Sequence, residues 1–352
     1  MPEKKEKYVA YVSTYTRNAE IGIYLYDVDL ENGRFAEKDK VKITNSSYLT
    51  LSHNGKYMYA ITDFGVESYK LKTDGSLVNI GSASINGMRG CYLSTDYEDR
   101  YLFVAGYHDA KVTVLKIGDD GAAGEITDEM FSSGLGSIVE RSFLPHVTCV
   151  KMTRDNKYLC VCDSGMDQVK VYAFNSQTGK LKFKDIIHCD QDSAPRYIKF
   201  HRNGKFAYIS HEVGCTIDVY SYNETNGMPD FEKIGSYSAL NDDYKTSGSM
   251  TCAMKFSFDH KFIMASVAGS NAVTLFKVND KTGELTKLLH LPVSGDYPKD
   301  VAFFPDSKHI VSLNHESNTM SFFTLDLKKN IIVLNGPFIK VPSGNCIIIK
   351  KL

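Results

Sequence analysis

Lys205-Phe206-Ala207-Tyr208-Ile209-Ser210-His211, followed by Thr216-Ile217-Asp218-Val219-Tyr220, is a phrase that this chain repeats. It returns as Lys157-Tyr158-Leu159-Cys160-Val161-Cys162-Asp163 with Gln168-Val169-Lys170-Val171-Tyr172. Shorter forms stand at Lys56-Tyr57-Met58-Tyr59-Ala60, Arg100-Tyr101-Leu102-Phe103-Val104, Lys261-Phe262-Ile263-Met264-Ala265 and Lys308-His309-Ile310-Val311-Ser312. A first copy is Lys7-Tyr8-Val9-Ala10-Tyr11-Val12. The seven starts lie 49, 44, 57, 48, 56 and 47 residues apart. Short strands recurring at that period mark a propeller, one blade per repeat. The expected fold is therefore all-β, a seven-bladed β-propeller, with residues 1–352 as a single propeller domain.

Each phrase carries two strand signals: a Tyr/Phe/Val/Ile run, then a stricter alternation such as Val169 and Val171 or Ile217 and Val219. Asn32-Gly33, Asp74-Gly75, Thr178-Gly179 and Thr282-Gly283 are hairpin chemistry, because Gly accepts positive φ. An apolar run before most phrases (Tyr197-Ile198-Lys199-Phe200, Val301-Ala302-Phe303-Phe304) and a strand after the turn bring the count to about four per repeat. The N-terminal copy lacks its preceding run, while Cys346-Ile347-Ile348-Ile349 has no phrase after it. The C-terminal strand is expected to complete the N-terminal blade and so close the ring. Gly118–Ser142 and Asn223–Met250, rich in Gly, Ser and acids, read as long loops.

Lys and Arg number 41 against 42 Asp and Glu, a formal charge of −1. No global field points to nucleic acid or to an anionic membrane, and neither is an expected partner. The charged N-terminus leads straight into a strand, with no apolar leader and no long apolar segment, so a cytoplasmic location is expected. The 8 Cys contain no C-x-x-C pair. Cys160 and Cys162, alternating on a strand, read as reduced buried thiols. There is no glycine-rich phosphate loop, no nucleophile elbow and no close set of metal ligands, so neither cofactor nor metal is expected.

Inner strands of a propeller start at one mouth of the central channel, so residues at those starts converge on the axis. Pro145-His146, Pro195-Arg196 and Pro298-Lys299 place a His, an Arg and a Lys directly behind a proline, whose fixed φ and missing N–H suit a strand start. The ends of the next strands give Tyr107-His108, Asp163, His211-Glu212 and Asn314-His315. A cationic cluster and an acid–base cluster are expected to share one cavity suited to an anionic small molecule. Arg196 offers a bidentate fork for carboxylate or phosphate. A Glu beside an Arg stays ionised, so Glu212 fits a base. His146 and His211 are candidate helpers, Lys299 and Asn314 candidate substrate contacts. His188, His260 and His309 read as surface.

Tyr11-Val12-Ser13-Thr14-Tyr15-Thr16 with Gly22-Ile23-Tyr24 resembles the opening of the seven-bladed lactonase family, which includes propeller-type 6-phosphogluconolactonases and carboxymuconate lactonising enzymes. Pro195-Arg196-Tyr197-Ile198-Lys199-Phe200-His201, followed by Ser210-His211-Glu212, resembles that family's Pro-Arg-His-x-x-Phe-His and Asn-Glu segment. Leu144-Pro145-His146 and Pro298-Lys299-Asp300 are similar to its Pro-His and Pro-Arg-Asp strand starts. Carried over by position, the resemblance implies Arg196 and Glu212 as the family's acting pair; taken with the strand-start and strand-end reading, Glu212, Arg196 and His146 are expected as catalytic, and Lys299, His211, His201 and Asn314 as substrate-binding. Four positions depart from the pattern: Thr148 replaces a second His, Tyr197 a His, Ala268 an Arg, and Lys299 an Arg. Three readings follow: hydrolysis of a sugar-derived lactone such as 6-phosphogluconolactone, a non-catalytic propeller binding an anion or protein, and a carboxymuconate-type cycloisomerase. Loss of an Arg at Ala268 weighs against the last.

Overall fold

The computed structural model of the chain describes residues 6–16, 21–136, 143–241, 243, 245–327, 329 and 331–352, and within them every repeat becomes an antiparallel sheet. Among the described residues all regular elements are strands. The blade built from the opening phrase shows the pattern. Its inner strand is Pro195–Phe200, the two halves of the phrase are Phe206–His211 and Thr216–Thr225, and Met228–Ser238 lies outermost. Numbered around the ring, blades 2 to 7 cover residues 49–84, 92–131, 147–188, 195–238, 250–292 and 298–340. Blade 7 carries an extra two-residue strand, Ile339–Lys340.

Blade 1 is completed from both ends of the sequence. Tyr8–Thr14 pairs with Gly344–Lys351 from Tyr8↔Lys351 to Ser13↔Cys346. That pairing covers the edge of Tyr8–Thr14, which unpaired would be a template for aggregation.

The aromatic residue of the phrase has a specific task. Tyr11, Tyr59 and Tyr208 are buried, and their hydroxyls donate to the carbonyls of Gly75 (2.6 Å), Gly121 (3.0 Å) and Gly283 (2.8 Å). Each acceptor sits in the outer hairpin turn of the following blade, so one residue type both fills the space between blades and fixes their spacing. Gly75 and Gly283 hold φ of 85° and 79°, as those turns require. Blade 7 packs on blade 1 through Phe35, which contacts Phe304 and Phe322 at ring separations of 5.2 and 5.1 Å.

The two stretches expected as loops are only partly so. Ala123–Phe131 and Met228–Ser238 are the outermost strands of blades 3 and 5. One face of each meets solvent, so their composition is polar and mimics a loop. Residues 137–142 of the first stretch, and 242 and 244 of the second, lie outside the described residues.

Candidate active site

Arg196 is the second residue of an inner strand, and the strand pairs around it. Pro195 faces His211 and Tyr197 faces Ser210, leaving Arg196 out of the ladder. A bulge re-aims its side chain, here toward the axis. The same omission occurs at Thr148, Cys252, Lys299 and Asn345. Counting nine residues back from each phrase gives Ser47, Cys91, Thr148, Arg196, Cys252 and Lys299, and Asn345 is the seventh member in the closing strand.

Four members of this ring latch neighbouring blades. Asn345 Nδ2 donates to Ser47 O (3.0 Å), Ser47 Oγ to Gly90 O (3.0 Å), Cys91 Sγ to Val147 O (3.3 Å) and Thr148 Oγ1 to Pro195 O (3.1 Å). Arg196 and Lys299 instead project into a cavity of about 430 Å³, within the range of small-molecule sites. A second ring lies seven residues after each phrase start: Thr14, Asp63, Tyr107, Ser164, Glu212, Ala268 and His315. Glu212 and Tyr107 line the same cavity, and Asp63 holds Arg89 at its rim at 3.1 Å.

The centre of the site is the ion pair of Arg196 Nη1 with Glu212 Oε2, both largely buried at 15% and 17% side-chain exposure. Burial opposes the guanidinium charge, but the Glu212 carboxylate outweighs it and raises the Arg196 pKa well above its usual value. The Glu212 backbone is fixed on both sides, its N–H donating to Ala194 O (2.7 Å) and its carbonyl accepting from Thr251 N–H (3.0 Å) of the next blade. Lys299 faces the same space above the Tyr297 ring at 5.3 Å. Burial and then the charge of Arg196 lower its pKa. Cys91 remains a thiol, because burial pushes it up to about 12 despite the opposing field of Arg196. Arg89 lies over the Tyr15 ring at 4.9 Å.

An aromatic floor closes the cavity below. One residue beyond the bulge ring stand Tyr48, Tyr92 and Tyr197, from blades 2, 3 and 5. Their rings meet across the axis, 4.4 Å between Tyr48 and Tyr92 and 5.5 Å between Tyr92 and Tyr197. Burial raises the pKa of all three phenols, so the floor is uncharged. A larger cleft, about 830 Å³, lies off the axis between blades 1 and 2. Its Lys38 is paired with Asp27 (2.9 Å) and its Lys351 with Glu6, and it lacks an acid–base pair aimed at a common point.

Arg196, Glu212 and Lys299 come together as the sequence predicts. His146 stands one residue behind the wall: its ring stacks on Tyr107 at 4.2 Å, and Tyr107 is what faces the cavity. It lies two positions before Thr148, so the proline in front of it marks a different register from those before Arg196 and Lys299. Three site assignments are corrected. His211 points between blades, because the residue before Glu212 still obeys strand alternation; it is 1% exposed and 3.2 Å from Asp218. Asn314 is fully buried, donating to Ser321 Oγ (2.8 Å) and Thr319 Oγ1 (3.2 Å). His201 follows the far end of its strand and sits near the opposite channel mouth, edge-on to Phe256 at 5.9 Å. His309, expected at the surface, is buried with its ring 2.7 Å from Asp306. The cavity also contains Tyr15, Arg89, Cys91 and Tyr297, which sequence reasoning missed. The nine-residue count finds Cys91; Arg89 and Tyr297 share a register eleven residues before their phrases, and Tyr15 shares with His108 a register eight residues after the phrase start.

Comparison with known proteins agrees with this architecture. The chain is 29% identical to the 6-phosphogluconolactonase of Bacillus subtilis, over 97% of this chain and 98% of that protein. A Bacteroides fragilis structure provisionally described as a 6-phosphogluconolactonase superposes with a TM-score of 0.88 at 26% identity, covering 99% of both chains. The periplasmic gluconolactonase of Pseudomonas aeruginosa has the same fold, with a TM-score of 0.89 at 24% identity over 97% of this chain and 99% of its own. The family model for the seven-bladed β-propeller lactonases matches residues 9–349. With seven blades closed by the last strand and that match along nearly its whole length, the chain belongs to the seven-bladed β-propeller lactonase family.

Proposed function

We propose that this protein hydrolyses a phosphorylated sugar lactone of the 6-phosphogluconolactone type. The observation that carries the reading is the Arg196–Glu212 pair, held at a bulge and a fixed turn in a cavity that also holds Lys299. Among the described residues Lys299 pairs with no carboxylate, which leaves one cation for an anionic substituent. The B. subtilis relative supplies the substrate class.

In this mechanism Glu212 takes a proton from water as the water oxygen bonds to the lactone carbonyl carbon. The carbonyl π electrons move to oxygen, and Arg196 stabilises the resulting oxyanion. Collapse breaks the bond from that carbon to the ring oxygen, and protonated Glu212 returns its proton to the departing alkoxide. The acid formed ionises and releases one proton to solvent. Lys299 holds the phosphate as a point charge, a task that needs no planar fork.

Proton release from a panel of lactones tests this, with Glu212→Gln as the control. The variant is expected to lose about 10²–10⁴ in rate, the usual contribution of a positioned base. Equal rates in the two proteins would remove Glu212 from the chemistry, and no release by the wild type on any lactone would end the hydrolase reading.

A further inference from the structure

Below the tyrosine floor the channel changes character. Three residues beyond the bulge ring, blades 4, 5 and 6 place Lys151, Lys199 and Lys255 at one level, on adjacent inner strands. Lys255 is neutralised: its Nζ lies 3.0 Å from Asp300 Oδ2 and donates to Ile347 O at 3.3 Å. The Asp300 carboxylate is shared further with the Ile347 N–H at 2.9 Å. Among the described residues no carboxylate pairs with Lys151 or Lys199. Both are partly buried, and each is pressed by a neighbouring lysine in addition to burial, which lowers both to about 8. Arg154, in the turn just below Lys151, lies over the Tyr97 ring at 5.3 Å with its buried Nε unpartnered. Lys151 approaches the same ring, at 5.9 Å.

A propeller needs no charge at this level. The equivalent positions in four other blades are Thr50, Ser94, Ala302 and Ile348. Two partly buried ammonium groups without counter-charge cost stability. A multivalent anion entering from the lower mouth would remove that cost, and lysine's compact charge on a flexible stem suits phosphate oxygens. The floor of Tyr48, Tyr92 and Tyr197 separates this space from the lactone cavity. We infer that the lower mouth of the channel is a second binding site, for a small multiply charged phosphate compound, held by Lys151, Lys199 and Arg154. The site stands whether or not the upper cavity hydrolyses lactones.

Calorimetry with inorganic pyrophosphate distinguishes the two mouths. Lys151→Met/Lys199→Met empties the lower site while preserving side-chain length, and Arg196→Met/Lys299→Met empties the upper cavity. The proposal expects binding to persist in the upper-cavity variant and to weaken at least tenfold in the lysine variant, which keeps its lactone turnover within about twofold. Pyrophosphate is expected to raise the melting temperature of the wild type and of the upper-cavity variant, and to raise that of the lysine variant by clearly less than either. Three results would each overturn it: pyrophosphate binding unchanged in the lysine variant, binding abolished in the upper-cavity variant, or a thermal shift matched by sodium chloride at equal ionic strength. Should the double lysine variant fail to fold, Lys199→Met alone carries the same comparison.

Discussion

A side chain's role in this protein depends on whether it sits on a bulge or in the ladder. Arg196 and His211 flank one strand pair, yet the bulge sends Arg196 to the axis while alternation sends His211 between blades toward Asp218. That difference explains why residue type alone misassigned His211 and Asn314, whereas register selects Thr148, Arg196 and Lys299 together. Thr148 uses its hydroxyl as a latch to Pro195 O, so the loss of a family histidine there still leaves a structural task. Lys299 gives the sharpest test of substrate at this scale. If it binds phosphate, Lys299→Met raises KM for a phosphorylated lactone by about tenfold or more, the loss of one charge-assisted contact. KM for the unphosphorylated analogue stays within about twofold. Parallel steady-state measurements on the two substrates check this; an equal rise in both KM values would assign Lys299 to the lactone ring or to cavity shape.

Inner and middle strands were legible because they bury both faces against neighbouring blades, and their Tyr, Val and Ile content repeats with the blade. Outer strands were not. Met228–Ser238 buries little and alternates toward solvent, so its composition is that of a loop. The closing strand was legible by elimination, as an apolar run without a phrase, and its packing bears this out. Ile347 is 1% exposed, faces Val12 in the ladder, and sits in the cluster that contains Leu313 and Phe322. Ile347→Ala is expected to cost about 2–5 kcal/mol, the usual loss for a truncated core aliphatic. Ile331→Ala, on the exposed outer strand of blade 7, is expected to stay within about 0.5 kcal/mol. Urea midpoints of the two variants measure the contrast, and similar midpoints would mean that the closing strand contributes little.

The whole chain is nearly neutral, at −1, yet it concentrates cations at both mouths of one channel, Arg196 and Lys299 above and Lys151 and Lys199 below. That sorting has a pH signature. Lys151 and Lys199 titrate near 8 when folded and near the ordinary lysine value of about 10.4 when unfolded. Between those values the unfolded chain binds more protons, so the two lysines make stability rise with pH, and their penalty is complete below about 8. Buried thiols such as Cys91 and Cys346, both pushed up to about 12, act in the opposite direction above about 8.5. The expected observable is therefore a difference. Lys151→Met/Lys199→Met exceeds the wild type in stability at pH 7, and that gap narrows by pH 9.5. Paired urea titrations at the two pH values read it, and a constant gap would place both lysine pKa values near their ordinary position. The join between Tyr8–Thr14 and Gly344–Lys351 has a further consequence, in time. During synthesis Tyr8–Thr14 emerges long before its partner Gly344–Lys351. At about 5–20 residues per second, the interval is on the order of 20–70 seconds. Throughout it the nascent blade is three-stranded, with backbone donors and acceptors of Val9 to Ser13 exposed. The ring therefore stays open until Gly344–Lys351 has been made, and vulnerability to misassembly lasts until that strand finds Tyr8–Thr14.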